Sequence, residues 1–215
     1  MHISFSDIKQ VKRLAKQLES TYPTLKLGQR LDKAAAQRLG VRNYHEANRL
    51  YDKWLMLPVH LSADASGVSK CSYCEFSFAA DLKEDRQAHR KRHEQVLDAC
   101  DVLGYIPGNY VQRESMKRDG HELFRNGQSM EERIEGVLLL LRGWFDRSLF
   151  DAIYDDYWRK HPTFDKYVAM IQDTLGSTYH ELLPTLKDRY GYMPGEIEPG
   201  NSYWYPKTHT NTYGR

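Results

Sequence analysis

The chain has 215 residues, 40% of them hydrophobic and 12% aromatic, which suffices for a real core in one or two domains. No run approaches 18 apolar residues, and Met1 to Phe5 lacks the basic-then-apolar order of a secretory leader, so neither a membrane span nor export is expected. Three cysteines leave no room for a disulfide framework and point to a reducing, cytoplasmic setting. The net charge of +2 hides an asymmetry: residues 1–60 carry eleven Lys/Arg against five Asp/Glu, whereas residues 98–215 carry fourteen against eighteen. Phosphate contacts are therefore expected at the basic end.

Ser6 and Asp7 are expected to open a first helix, in which Ile8, Val11, Leu14, Ala15 and Leu18 recur at the spacing of one buried face. Lys9, Lys12, Arg13 and Lys16 fall off that stripe. A second helix is predicted from about Leu27 to Leu39, stopped by Gly40. A third opens on the Asn43/Glu46 capping pair and carries Ala47, Leu50, Tyr51, Trp54 and Leu55. Residues 1–60 thus read as a basic three-helix bundle. Within it, Ala36-Gln37-Arg38-Leu39-Gly40-Val41 resembles the start of a helix-turn-helix, with the next apolar positions one residue late, at Ala47 and Leu50. Lys9, Lys12, Arg13, Lys16, Arg30, Lys33, Arg38, Arg42 and Arg49 are the expected contacts to nucleic-acid phosphate.

His60 to Lys70 reads as a short polar linker. Beyond it, Cys71 and Cys74 are separated by two residues, and His89 and His93 by three. A tight knuckle aims two sulfurs at one ion, and imidazoles at i and i+4 project from one helix face, so these four residues carry the ligand types and spacing of a closed tetrahedral Zn2+ site. Asp81 with Glu84 reads as a capping box starting that helix near Leu82, with Phe78 roofing the metal and Phe76 and Leu82 completing a small core. The helix should continue through Val96, Leu97, Cys100 and Leu103 to Gly104, giving a domain over 68–104 in which Cys100 is a packing residue. Cys71, Cys74, Asp85, His89 and His93 together resemble Cys2His2 zinc fingers, most closely the single finger of cohesin acetyltransferases. The resemblance covers the finger alone and implies a structural zinc. That family's loop for the acetyl-CoA pyrophosphate has no counterpart after His93, so its activity is not implied. In the register of tandem DNA-reading fingers the base-facing positions would be Leu82, Glu84, Asp85 and Ala88, a set that repels phosphate. Arg90, Lys91 and Arg92 remain to touch a backbone.

A helical domain is predicted over 105–193. It comprises a helix over Tyr110–Phe124, a stop at Asn126-Gly127, and a Ser129/Glu132 capping box opening the most hydrophobic segment, from Ile134 through Leu141 to Trp144 and Phe145. Leu149, Phe150, Ile153, Tyr157 and Trp158 extend that stripe. Phe164 to Leu175 forms another helix closed by Gly176, and Thr178 with Glu181 starts a last one before Gly191. Asp146, Asp151, Asp155 and Asp156 are expected on the solvated side. Residues 194–215, rich in Pro, Gly and Tyr, either pack as an extended arm or serve as a partner-binding tail.

The expected fold is mainly α: an N-terminal three-helix bundle, a central Cys2His2 finger and a C-terminal helical domain. The expected function is that of a zinc-stabilised, non-catalytic binding or regulatory protein whose partner is DNA or RNA. The alternative is a protein–protein adaptor or inhibitor working through the finger and the aromatic C-terminal region. The remotest alternative is a metal-dependent nuclease, for which His121, within Asp119-Gly120-His121-Glu122, is the candidate. One Zn2+ is the cofactor expected, and no P-loop, dinucleotide fingerprint or nucleophile elbow is present.

Overall fold

A computed structural model describes residues 3–55, 61–63 and 68–207 of the chain. The protein is mainly helical and divides into two compact units, Met1–Tyr105 and Ile106–Arg215. Residues 1–60 and 68–104 therefore share one unit, and the C-terminal arm belongs to the other.

In the first unit α1 (Phe5–Thr21), α2 (Leu27–Leu39) and α3 (Tyr44–Leu55) form the bundle. The cap of α1 is Ser4, two residues before the expected Ser6. Its hydroxyl accepts the Asp7 N–H at 3.2 Å, and the Asp7 carboxylate accepts the Ser4 N–H at 3.0 Å. This places Ile3 before the cap and Ile8 at the fourth helical position, both in the same core, as a hydrophobic staple requires. At the end of α2, Gly40 takes the left-handed conformation (φ 67°). Asn43 Oδ1 accepts the Glu46 N–H at 2.8 Å, but the Glu46 carboxylate turns to the Arg42 N–H, so only half of the expected capping box forms. Val11, Ala15, Ala34, Ala35, Ala47, Tyr51 and Leu55 make the bundle core, which Leu97 joins from outside the three helices.

The expected linker holds two strands instead. β1 (Leu61–Ala63) pairs antiparallel with β2 (Val68–Cys71), which pairs with β3 (Ser77–Ala79); its backbone is committed to ladders that its small polar side chains do not advertise. The stretches 56–60 and 64–67 lie outside the described residues. Next comes α4 (Lys83–Leu103), closed by Gly104. Asp81 does not cap it. Leu82 holds the cap position without a side-chain bond, while Asp85 accepts the Ala79 N–H and Arg86 donates to the carbonyls of Ala80 and Asp81, all at 2.8 Å. Leu82 is 51% exposed and takes no part in the small core.

The second unit is organised on an antiparallel hairpin of α5 (Tyr110–Asn126) and α6 (Met130–Tyr154), each opened by a capping box, Asn109/Gln112 and Ser129/Glu132. Their backbones nearly touch. A Cβ on Gly120 would lie 2.6 Å from the Gly136 oxygen, one on Gly136 2.6 Å from the Phe124 nitrogen, and one on Gly143 3.0 Å from the Arg113 oxygen. Asp146 is fully buried and accepts the Gly108 N–H at 2.7 Å, contrary to the expectation of a solvated acid. Trp144 is half-buried and Trp158 buried. α7 (Phe164–Met170), α8 (Gln172–Leu175) and α9 (Leu183–Tyr190) follow. A 3-10 turn over Gly176–Leu182 leads into α9, so Thr178 caps nothing, and Glu181 pairs with Arg133. The arm after Pro194 packs as an extended strap. The Tyr167 hydroxyl donates to the Ser202 carbonyl at 2.5 Å, and the Trp204 N–H donates to Ser148 Oγ at 2.9 Å. Among the described residues, no helix is long and apolar enough to cross a membrane.

Candidate metal centre

β2 ends on Cys71, and the chain then turns so tightly that the Cys71 carbonyl accepts the Glu75 N–H at 2.8 Å and the Cys71 N–H reaches the Phe76 carbonyl at 2.9 Å. Glu75 adopts φ 58° to make that turn. The knuckle brings Cys74 beside Cys71, and α4 presents His89 and His93 one turn apart from the other side. All four residues are buried, and their ligand atoms lie within 4.8 Å of one another. A Zn2+ tetrahedron with bonds of about 2.3 Å to sulfur and 2.0 Å to nitrogen has edges of roughly 3.3 to 3.8 Å, so a contraction of about 1 Å would close this set around one ion.

The surroundings fix each ligand. Phe78, buried on β3, stacks on the His89 ring at 4.2 Å between centroids, which is the roof expected of it. His89 Nε2 is buried and has no hydrogen-bond partner among the protein atoms. A neutral imidazole nitrogen left bare in the interior is costly unless it coordinates. His93 Nδ1 lies 3.0 Å from the Leu55 carbonyl and donates to it, which leaves Nε2, 3.2 Å from Cys71 Sγ, as the nitrogen that faces the cluster. The Cys74 thiol donates to Cys71. This bond draws the Cys71 pKa far below the ordinary thiol range, against the pull of burial. The same bond, with burial, pushes Cys74 up, and the buried Arg92 works against it by its charge. Two sulfurs holding one proton between them form a soft, anionic donor pair.

The structure sorts the nine expected phosphate-contacting residues. Lys12, Arg13 and Lys16 are exposed along one side of α1, away from its buried face. Lys9 lies on that side too, over the Phe5 ring and 3.4 Å from Asp98. Arg49 is exposed on α3, and the Arg42 side chain, 82% exposed, pairs with Glu46. Lys33 rests on the Tyr22 ring and Arg38 reaches Gln10. Arg30 is a correction: it is buried, 3.0 Å from Glu19, and donates to the Leu25 carbonyl. Arg92 is likewise buried and Arg90 pairs with Asp52 at 2.5 Å, which leaves Lys91 as the exposed cation of that trio. His121 Nδ1 meets the Tyr179 hydroxyl at 2.8 Å, while the neighbouring Asp119 bonds Ser115 and Arg118. Sequence gave no warning of the Leu55 carbonyl behind His93, because a backbone acceptor carries no residue signature.

No protein-family model, no curated protein and no solved structure matches this chain.

Proposed function

We propose that the protein is a zinc-stabilised, non-catalytic binding protein whose first unit holds nucleic acid by its phosphates. The cluster of two thiols and two imidazoles suits Zn2+: soft sulfur and borderline nitrogen donors, four of them, fill a tetrahedral shell and leave no position for a substrate water. The observation that carries the metal is the buried, partnerless His89 Nε2 facing three other donors. The observation that favours nucleic acid is the row Lys12, Arg13 and Lys16, exposed together on a helix whose opposite face is core. Such a row reads charge and not sequence, so binding should be sequence-independent and salt-sensitive.

Two measurements test this. Elemental analysis should find one zinc per chain, lost in Cys74→Ser; a metal-free native protein would end the metal assignment. Duplex oligonucleotide binding should weaken roughly 40-fold between 50 and 200 mM salt, the fall expected for about three neutralised phosphates. Replacing Lys12, Arg13 and Lys16 by Glu should abolish it. No affinity for duplex or single strand at low salt would shift the assignment to the adaptor.

A further inference from the structure

We infer that metal binding at Cys71, Cys74, His89 and His93 controls the folding of the basic three-helix bundle, so that the phosphate-binding face exists only in the metal-loaded chain. The first half of this stands on packing alone, and the second rests on the function proposed above.

Three links, two buried and one partly buried, join the cluster to the bundle. His93, a ligand, hydrogen-bonds the carbonyl of Leu55, the last residue of α3. Tyr73, inside the knuckle between the two cysteines, packs against the bundle core, with its ring tilted against that of His93 at 5.3 Å between centroids. Leu97, one turn beyond His93 on α4, is a member of that core. Two ion pairs run in parallel at the surface, Arg90 with Asp52 of α3 and Lys9 of α1 with Asp98 of α4. Exposed pairs contribute little by themselves, so the three links dominate.

The bundle needs that support. It spans fewer than 60 residues, a size at which a core is marginal, and its core includes Ala15, Ala34, Ala35 and Ala47, which bury little apolar area each. Without an ion, four buried donor atoms lack a common partner and the knuckle has nothing to close on. Opening it withdraws Tyr73 and Leu97 from the bundle and leaves the Leu55 carbonyl without its donor. Metal binding and bundle folding are then one equilibrium.

Linkage makes this quantitative. If unfolding the bundle releases one ion, its opening constant falls in inverse proportion to free Zn2+. The experiment is amide hydrogen exchange on the full chain in mild urea, with free Zn2+ set by a chelator buffer over several decades. Protection of the α1–α3 amides, including Val11, Ala35 and Ala47, should rise about tenfold per tenfold in Zn2+. A slope of zero for those amides, with α4 still showing a slope of one, would overturn the inference. Duplex binding at low salt should follow the same Zn2+ dependence. A chain with the slope but no duplex affinity at any Zn2+ level would retain the folding linkage and refute the nucleic-acid half.

Discussion

A methyl group added at Gly136 tests the close approach of α5 and α6 in the second unit. The new Cβ would sit 2.6 Å from the Phe124 nitrogen, 2.8 Å from the Gly120 oxygen and 3.1 Å from the Leu123 carbonyl carbon. All three are backbone atoms of α5, so no side chain can rotate aside. The helices must part by close to an ångström along their contact. Overpacking of this kind costs about 1 to 3 kcal/mol, and the clash is on backbone, so the upper end applies. Alanine returns up to about 1 kcal/mol in helix propensity, for a net loss of about 2 kcal/mol. In a unit of this size that lowers Tm by roughly 10 °C. Tryptophan fluorescence is the assay, since Trp144, Trp158 and Trp204 lie in the second unit and Trp54 alone in the first. Gly28→Ala in α2, where nothing lies within 4 Å of the added carbon, is the control and should not lower Tm. A Gly136→Ala protein melting within about 2 °C of the parent would refute the close-packed hairpin.

Asp146→Ala should destabilise the second unit by about 2 kcal/mol or more in urea titrations, because it strands the buried Gly108 N–H. Burial lowers the His161 pKa to about 4, with the Pro162 carbonyl pulling slightly the other way. The folded state therefore keeps this ring neutral while the unfolded chain protonates it near pH 6.5. Its contribution is fully present above about pH 6.5 and falls by at most about 3 kcal/mol as the pH drops to 4. Urea titrations across that range should show the decline, and His161→Gln should flatten it. Arg30→Ala should lower the stability of the first unit without changing the salt slope of duplex binding, since this residue serves Glu19 and Leu25.

Features written in local chemistry were legible in the sequence. Gly40 and the Ser129/Glu132 box mark helix ends because their side chains, or the lack of one, act within four residues. The four ligands were legible because coordination demands particular atoms at particular spacings, and the structure brings all four together. Asp81 misled because Asp85, one turn on, competes for the neighbouring backbone and takes the Ala79 N–H. Asp146 misled because helical periodicity assigns a charge to water, whereas here a tertiary partner 38 residues away, Gly108, receives it. Gly120, Gly136 and Gly143 offer no side chain for helical periodicity to register; only the pairing of two helices reveals them as a seam.

The strap also sets an order of events during synthesis. Ser148 and Tyr167 find their bonding partners at Trp204 and Ser202, 56 and 35 residues later in the chain. A nascent chain that has reached Gly191 has the described helices of the second unit but not the backbone strap that covers them. At about 5 to 20 residues per second, the first unit has seconds to close before the second can finish. Until the strap arrives, the ground that Ile197 covers stays open to solvent, which leaves the unfinished unit open to proteolysis and to aberrant association.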